Sequence, residues 1–421
     1  MRVPAGRGVS SLSAWLLVAV AFGSLTSCGA SSGEGPPGRA SPAASDLTAF
    51  VGELKLDPPA PTPFDQFGGS VALTSRYAVV GAIGSQVGGN APGAAYVFDL
   101  SSSPAQGVRL GESLAEPGSL FGSAVAVDGD TVVVGAPYHS QAGDRAGAVF
   151  VFERQGSDWS ATARLEPGDA RPQAYFGESV AVEDGVIAVG APGPGAGSAY
   201  VFVRGESGWS EVASLTPREP IVESRFGSAV ALAGGRLAVG EWTADQGEAG
   251  RAHLYAWAGD SGAGGWTHQW TAISPVAGDR FGYALALSGE TLAVAAPGGS
   301  GTPTVHVYRA SAGAWYSHAT LQPPTGANVG FGNAVAQGDG FLAIAAPAAG
   351  SDVPGAGRVL LYELQGEEWV YRRALTAGDP TRDAEFGGAL DVAGTTLLVG
   401  APGSARDGTP VGAAYRFESS E

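Results

Sequence analysis

Apolar and polar positions alternate with a period of two in short runs along most of the chain. One unit shows the pattern clearly, with alternating runs at residues 176–182, 186–190, 198–203 and 209–215. The Asp184-Gly185 dipeptide between the first two runs is typical of a tight hairpin turn, because both residues tolerate positive φ. No run of useful length has helical periodicity. The pattern therefore predicts a four-stranded antiparallel sheet.

This unit is repeated seven times. A Phe-Gly dipeptide recurs at intervals of about 50 to 55 residues, which is the length of a propeller blade. About 12 to 16 residues after each Phe comes a second landmark, Gly-Ala-Pro in its full form. The Phe residues are Phe67, Phe121, Phe176, Phe226, Phe281, Phe331 and Phe386. Sheets of this kind bury both faces by stacking radially, so the chain is predicted to be all-β, a seven-bladed β-propeller over residues 47–421.

The two ends of the repeated region complement each other. The seventh copy stops after its third strand, at residues 412–417, and lacks a fourth. A strand-like stretch at residues 49–58 precedes the first Phe-Gly, with Phe50 where other fourth strands have Trp and Leu56 where they have Leu. An unpaired sheet edge would otherwise remain. We therefore expect the N-terminal strand to complete the last blade and close the ring.

The repeated residues have an architectural interpretation. The small residues of each first strand suit a crowded inner wall, and the Phe before them can wedge between adjacent blades. The Gly residues allow backbones to approach each other closely. We interpret the Phe, Gly and Trp landmarks as packing residues rather than ligand-binding ones.

The first 46 residues have a different character. Arg2 and Arg7 precede an apolar stretch at residues 12–25, which suits a signal peptide and is too short to span a membrane. The following Leu-Thr-Ser-Cys resembles a bacterial lipobox, which implies a lipoprotein signal peptide at 1–27 and acylation of Cys28, the single cysteine of the chain. An ordinary signal peptide with an unrelated cysteine is the alternative. Because Gly29 is not acidic, the resemblance implies the outer membrane.

The segment from 28 to 46 is predicted to be a flexible tether between the acylated cysteine and the propeller. It consists mostly of Gly, Ser, Ala and Pro and cannot bury enough apolar surface to fold.

The chain as a whole has 23 basic and 40 acidic side chains and a net charge of −17. Such a surface repels nucleic acid, which is bound through clustered Lys and Arg. We therefore expect no nucleic-acid partner. Membrane attachment is expected through the acylated Cys28.

The two landmarks resemble the FG-GAP repeats of integrin α-subunit propellers, and more closely bacterial relatives that lack the calcium loop. The likeness covers about residues 47–420 and implies adhesion or protein recognition. Integrin-type repeats bind calcium in an Asp- and Asn-rich loop between the first two strands. Here that connection has two or three turn residues, too few to surround a cation that needs six to eight oxygen ligands. Asp128, Asp130 and Asp184 are interpreted as turn residues, and no metal or cofactor is predicted.

Catalytic motifs are absent from the sequence. The five His residues show no metal-ligand spacing, no Gly-x-Ser-x-Gly elbow occurs, and the Gly-rich segment 298–301 is a short loop between strands. The histidines are His139, His253, His268, His306 and His318. The chain is therefore predicted not to be an enzyme, with a propeller enzyme that has its site at the central mouth as an alternative.

The long, variable loops are expected on one face of the propeller, where the second strand leads to the third and where one blade leads to the next. Loops on a rigid scaffold often carry binding residues, and Trp, Tyr and Arg often anchor interfaces. The candidate binding residues are Tyr138, Asp144, Arg145, Tyr175, Trp242, Asp245, Arg406 and Asp407. Trp242 replaces the Pro of the second landmark, either as a contact residue or as a filler between blades.

The predicted function is that of an envelope-anchored lipoprotein whose propeller recognises a protein or glycan, as in adhesion. The alternative is a structural subunit of an envelope assembly.

Overall fold

The computed structural model describes residues 50–84, 92–111, 113–243, 248–258, 265–299, 301–350 and 352–419. The predicted signal peptide and tether, with Cys28, lie outside these residues, as does the candidate binding residue Asp245. Every regular element of the described part is a β-strand. Within these ranges, no helix has the length and apolar character needed to cross a membrane.

The strands are numbered in chain order and form seven four-stranded antiparallel sheets, called blades 1 to 7. Blade 1 contains β2 (Phe67–Leu73), β3 (Tyr77–Ala82), β4 (Ala94–Asp99) and β5 (Gly107–Leu110); blade 2 contains β6 (Ala124–Asp128), β7 (Thr131–Ala136), β8 (Ala148–Gln155) and β9 (Asp158–Leu165); blade 3 contains β10 (Ser179–Glu183), β11 (Val186–Ala191), β12 (Ser198–Gly205) and β13 (Gly208–Leu215); blade 4 contains β14 (Phe226–Ala233), β15 (Arg236–Glu241), β16 (Arg251–Ala258) and β17 (Gly265–Ile273). Blade 5 contains β18 (Leu285–Ser288), β19 (Thr291–Ala296), β20 (Thr304–Ser311) and β21 (Ala314–Leu321); blade 6 contains β22 (Val335–Gly338), β23 (Phe341–Ala346), β24 (Arg358–Gln365) and β25 (Glu368–Leu375); blade 7 contains β26 (Ala389–Ala393), β27 (Thr396–Ala401), β30 (Ala413–Ser419) and β1 (Phe50–Leu56). A two-stranded hairpin, β28 (Ala405–Arg406) and β29 (Thr409–Pro410), lies in the loop before β30.

The first strand of each blade lies at the centre of the ring. Each first strand contacts the first strands of the two neighbouring blades. The ring is continuous, because β2 of blade 1 contacts β26 of blade 7. The N–H of Leu73 donates a hydrogen bond of 2.6 Å to the Asp391 carboxylate across this last junction. The predicted all-β, seven-bladed propeller is confirmed. Its connections divide into a long-loop face, where each first strand begins, and an opposite face, where the tight hairpins lie.

β1 pairs antiparallel with β30 and forms the outer edge of blade 7. Its register matches that of a normal fourth strand: Leu56 is opposite Ala414, as Leu215 is opposite Ala199 in blade 3. Phe50 and Leu56 are both buried, and the Phe50 ring meets that of Phe341 in blade 6 edge to face at 5.8 Å. β1 is therefore the fourth strand of blade 7 and also contributes to the junction with blade 6.

The two Gly landmarks face each other across blade junctions. A Cβ atom on Gly190 of blade 3 would lie 1.8 Å from the carbonyl oxygen of Gly227 in blade 4, far inside van der Waals contact. Junctions of the same kind pair Gly81 with Gly122, Gly135 with Gly177, Gly240 with Gly282 and Gly400 with Gly68. In the other two junctions, Ala295 and Ala345 contact the Gly of the next blade's Phe-Gly. The glycines are repeated because neighbouring backbones touch at this point.

The Phe landmarks are packing residues, as predicted. All seven are completely buried. Phe176 meets the rings of Tyr200 and Phe202 in β12 edge to face, at centroid distances of 5.5 and 6.0 Å. Phe121 packs in a cluster that contains residues of both blade 1 and blade 2. Each Phe therefore joins two blades.

Candidate functional site

An unusual turn begins every blade on the long-loop face. The residue before each Phe-Gly has a left-handed backbone, which is uncommon for residues other than Gly. In blade 3, for example, Tyr175 has φ 55°, and its carbonyl accepts a hydrogen bond of 3.1 Å from the N–H of Glu178. The residues at the left-handed position are Gln66, Leu120, Tyr175, Arg225, Arg280, Gly330 and Glu385. Because first strands surround the centre, these turns surround the mouth of the central channel.

Three of the predicted binding residues come together at blades 2 and 3. The rings of Tyr138 and Tyr175 lie 5.4 Å apart with an interplanar angle of 34°. The Arg145 guanidinium lies over the Tyr138 ring, 4.9 Å from its centroid. Arg145 is exposed, whereas both tyrosines are half-buried. The three side chains therefore form one continuous patch.

Trp242 forms a second patch at blades 4 and 5. The guanidinium groups of Arg225 and Arg280 lie 5.1 and 5.8 Å from the centroid of its ring system. The Tyr283 ring lies 5.7 Å away at an angle of 55°. Trp242 is half-buried and both arginines are exposed. Trp242 thus packs between the turns of two blades and also keeps part of its surface free.

Glu178 joins the two patches. Its turn begins at Tyr175, and its Oε1 lies 3.6 Å from the Arg225 guanidinium of the next blade. Burial raises the pKa of Glu178, and the positive charge of Arg225 opposes that rise. A chain of contacts thus crosses blades 2 to 5 on one side of the mouth. We call this set the arginine-aromatic arc: Tyr138, Arg145, Tyr175, Glu178, Arg225, Trp242, Arg280 and Tyr283.

The other predicted binding residues are not part of this arc. Asp144 is exposed, and its backbone carbonyl accepts a hydrogen bond of 2.7 Å from the N–H of Gln173. Arg406 belongs to the hairpin of blade 7 and forms an ion pair of 2.7 Å with Asp57. Asp407 occupies the turn of that hairpin, with φ 51°.

Comparison with known families identifies the repeat. A model described as FG-GAP repeat matches residues 53–98, 108–152, 159–202, 209–255 and 369–417, together more than half of the chain. This chain belongs to the FG-GAP repeat family. All five matched spans begin in the fourth strand of one blade and end in the third strand of the next, the same frame in which β1 precedes blade 1. The longest unmatched stretch within the propeller, residues 256–368, contains blade 5 and the first three strands of blade 6. The second landmarks of these two blades have Ala295 and Ala345 in place of Gly.

Solved structures similar to this FG-GAP propeller share its fold at low sequence identity. Sqt1 from Chaetomium thermophilum is 17% identical, with a TM-score of 0.50 over 81% of each chain. Sqt1 bound to the N-terminus of the ribosomal protein L10 gives the same identity and TM-score, over 81% of this chain and 83% of that one. A chain of the Mitotic Checkpoint Complex is 15% identical, with a TM-score of 0.53 over 87% of this chain and 95% of that one. No curated protein sequence matches the FG-GAP chain.

Sequence reasoning missed four residues of the arc: Glu178, Arg225, Arg280 and Tyr283. Each lies one residue before a Phe or directly after a Phe-Gly, beside residues assigned to packing. Alignment of the seven copies would have shown the signal, because Arg stands before Phe-Gly only in blades 4 and 5.

Beneath Trp242, the FG-GAP frame is broken by a buried acid. Glu241 replaces the Ala of the second landmark and is fully buried. The Ser224 hydroxyl donates a hydrogen bond of 2.6 Å to its Oε1, and His253 Nε2 lies 2.7 Å from its Oε2. The Arg251 guanidinium lies 3.9 Å from Oε2. The network fixes the residue that immediately precedes Trp242.

This cluster contains Ser, His and Glu, but its geometry is not that of a catalytic triad. In a triad, the hydroxyl bonds to the imidazole and the acid orients the other ring nitrogen. Here Ser224 and His253 both bond to the carboxylate, and Ser224 and Glu241 have no exposed surface. The other ring nitrogen of His253 lies 3.1 Å from the Thr271 hydroxyl. The arrangement stabilises blade 4 and offers no nucleophile to a substrate.

The turns of the opposite face hold Asp128, Asp130 and Asp184. Gly129 and Asp184 both have positive φ, as tight hairpins require. The Asp128 carboxylate accepts a hydrogen bond of 2.8 Å from the N–H of Asp184, linking the turns of blades 2 and 3. Among the described residues, no three or more His, Cys, Asp and Glu side chains are placed to hold a metal ion.

A recess of about 480 Å³ lies in blade 2 on the outer side of the arc. His139, Glu116, Phe150 and Arg164 contribute to its wall. His139 is buried against the Phe150 ring, and its Nδ1 lies 3.2 Å from Glu116 Oε2.

Proposed function

We propose that this FG-GAP propeller is a recognition module, without catalytic activity, that holds a partner protein at the arginine-aromatic arc. The observation that carries the proposal is the continuous chain of contacts from Arg145 to Tyr283. Three guanidinium groups and four aromatic rings share one side of the channel mouth. Trp, Tyr and Arg contribute a disproportionate share of binding energy at protein interfaces.

The rest of the mouth offers fewer anchors, which favours the arc over a symmetrical site. In blades 6, 7 and 1, the positions flanking Phe-Gly are small or lack aromatic rings. These residues are Gly330, Asn333, Glu385, Gly388, Gln66 and Gly69. A partner held mainly by blades 2 to 5 would therefore sit to one side of the channel axis.

Two similar propellers support protein rather than small-molecule recognition. Sqt1 was solved bound to the N-terminus of the ribosomal protein L10, and another similar chain belongs to the Mitotic Checkpoint Complex. The likeness is one of fold, and these partners belong to those proteins.

Acylation of Cys28 would attach this module to the cell envelope, with the outer membrane as its proposed location. The segment 29–46 would then act as a tether that lets the propeller reach its partner. Adhesion is the biological role that this arrangement suits best.

The test is affinity capture from solubilised envelope, with the full chain in mild detergent as bait. The arc variant is Trp242→Ala/Arg145→Ala, and the control is Trp257→Ala/Arg204→Ala, which removes the same residue types near the opposite face. We expect the wild type and the control to recover the same protein, and the arc variant to recover at least about tenfold less, because an interface hot spot contributes about 2 kcal/mol or more. Thermal unfolding of each variant verifies its fold.

Equal recovery by the arc variant and the wild type would contradict the assignment of the binding face. If an intact envelope assembly co-migrated with the wild type, the arc variant and the control variant alike, the result would instead favour a role for this protein as a structural subunit of that assembly. Capture of a polysaccharide without protein would favour glycan recognition.

A further inference from the structure

The charge of the arc is opposite to that of the protein. The chain carries a net charge of −17, yet the arc holds three guanidinium groups and one carboxylate. Arg145 and Arg280 are exposed, and within the described ranges no carboxylate lies within ion-pair distance of either. Arg225 has Glu178 as its ion-pair partner. The arc is therefore a local site of positive charge that the carboxylates of the described residues leave largely uncompensated.

Three arginines near the opposite face, by contrast, have carboxylate partners. The Arg204 guanidinium lies 2.9 Å from Glu153, and Arg309 lies 2.8 Å from Glu367. Arg76 lies 3.1 Å from Asp99. Internal pairing is thus available to exposed arginines elsewhere in this acidic protein.

The arc arginines are also held in place. Each guanidinium lies over an aromatic ring, at 4.9 Å for Arg145, 5.1 Å for Arg225 and 5.8 Å for Arg280. A stacked guanidinium keeps its N–H edge free, and that edge can bind a carboxylate through two parallel hydrogen bonds. Because stacking already restricts these side chains, binding costs less conformational entropy than it would for free arginines.

We propose that the arc recognises an acidic peptide segment of the partner protein. Carboxylates of Asp or Glu pair with Arg145, Arg225 and Arg280, and an apolar or aromatic side chain covers Trp242. The segment is extended, because the arginines are distributed over blades 2 to 5. This assignment rests on the proposed function and specifies the chemistry of its partner.

The order of side chains favours a peptide over a uniform polyanion. Along the arc, charged groups are interspersed with the half-buried rings of Tyr138, Tyr175, Trp242 and Tyr283. A peptide can alternate carboxylates with apolar side chains and cover both. A polyuronate or a nucleic acid would bring additional negative charge against the acidic body of the protein.

The probe is a fluorescein-labelled peptide that alternates Glu and Asp with Tyr and Leu, titrated by fluorescence anisotropy against the full chain in mild detergent. Comparison probes are the same peptide with Gln and Asn replacing the acids, and a labelled polyuronate. The test variant is Arg145→Gln/Arg280→Gln, which removes no internal ion pair of the described residues. The control, Arg204→Gln/Arg309→Gln, changes the net charge equally near the opposite face.

We expect the acidic peptide to bind the wild type and the control, and to bind the test variant at least about tenfold more weakly. The reason is that each arginine–carboxylate hydrogen bond lost in the variant joins two charged groups. Added salt should weaken the binding by screening. Equal binding of the neutral peptide, tighter binding of the polyuronate, or undiminished binding to the test variant would overturn the inference.

The envelope-capture experiment distinguishes failure of the acidic-peptide proposal from failure of the proposed function. If arc-dependent capture succeeds while the acidic peptide does not bind, the partner is a protein of different chemistry. If neither occurs, both proposals fail.

Discussion

Replacing Glu241 by Ala should lower the free energy of unfolding by about 3–5 kcal/mol, the usual effect of removing one partner from a buried charged pair. The carboxylate is fully buried and contacts the Ser224 hydroxyl, the His253 ring and the Arg251 guanidinium. Without it, these three groups lose their shared partner in the interior of blade 4. Chemical denaturation of the full chain in mild detergent measures the change.

A second substitution provides the control. In blades 1, 3 and 7, Ala stands in place of Glu241 and Tyr in place of His253, as with Ala191 and Tyr200. The double variant Glu241→Ala/His253→Tyr should therefore recover much of the stability that the single variant loses. A single variant as stable as the wild type would show that the carboxylate does not hold blade 4 together.

Replacing Leu56 by Ala should destabilise the propeller by about 2–5 kcal/mol, the range for truncating a large buried aliphatic side chain. Leu56 is 2% exposed and packs in the cluster that holds Phe67 and Leu398. The result depends on β1 acting as the fourth strand of blade 7. Denaturant unfolding and the rate of limited proteolysis both measure it.

Leu54 provides the matched control within the same strand. It is 39% exposed, so Leu54→Ala should change the stability by no more than about 0.5 kcal/mol. Similar effects of the two substitutions would mean that β1 does not pair in this register, and that blade 7 is completed in another way.

The architecture could be predicted from sequence because one pattern recurs seven times. The alternation of apolar and polar residues predicts the strands, and the repeat length predicts the blades. Phe50 and Leu56 indicate the additional strand that precedes blade 1. The reason for the repeated glycines needed the structure, since Gly190 and Gly227 belong to different blades and meet only across their junction.

The arc could be predicted only in part. Tyr138, Arg145, Tyr175 and Trp242 stand out as large side chains on long loops, but their convergence depends on the left-handed turn before each Phe-Gly. That backbone conformation has no sequence signature in these repeats, because Gln, Leu, Tyr, Arg, Gly and Glu all occupy the left-handed position. From the sequence, Arg406 was an equally plausible binding residue. In the structure it forms an ion pair with Asp57, and this contact depends on where β1 ends.

Hydrogen-deuterium exchange of the chain, alone and with its captured partner, tests directly whether the arc is the binding surface. Protection on binding should be concentrated in the turns of the arc, at residues 138–145, 173–178, 223–228 and 278–283. The hairpins of the opposite face, such as residues 183–186, should exchange equally in both states. Protection confined to those hairpins, or to the outer strands, would contradict recognition at the arc.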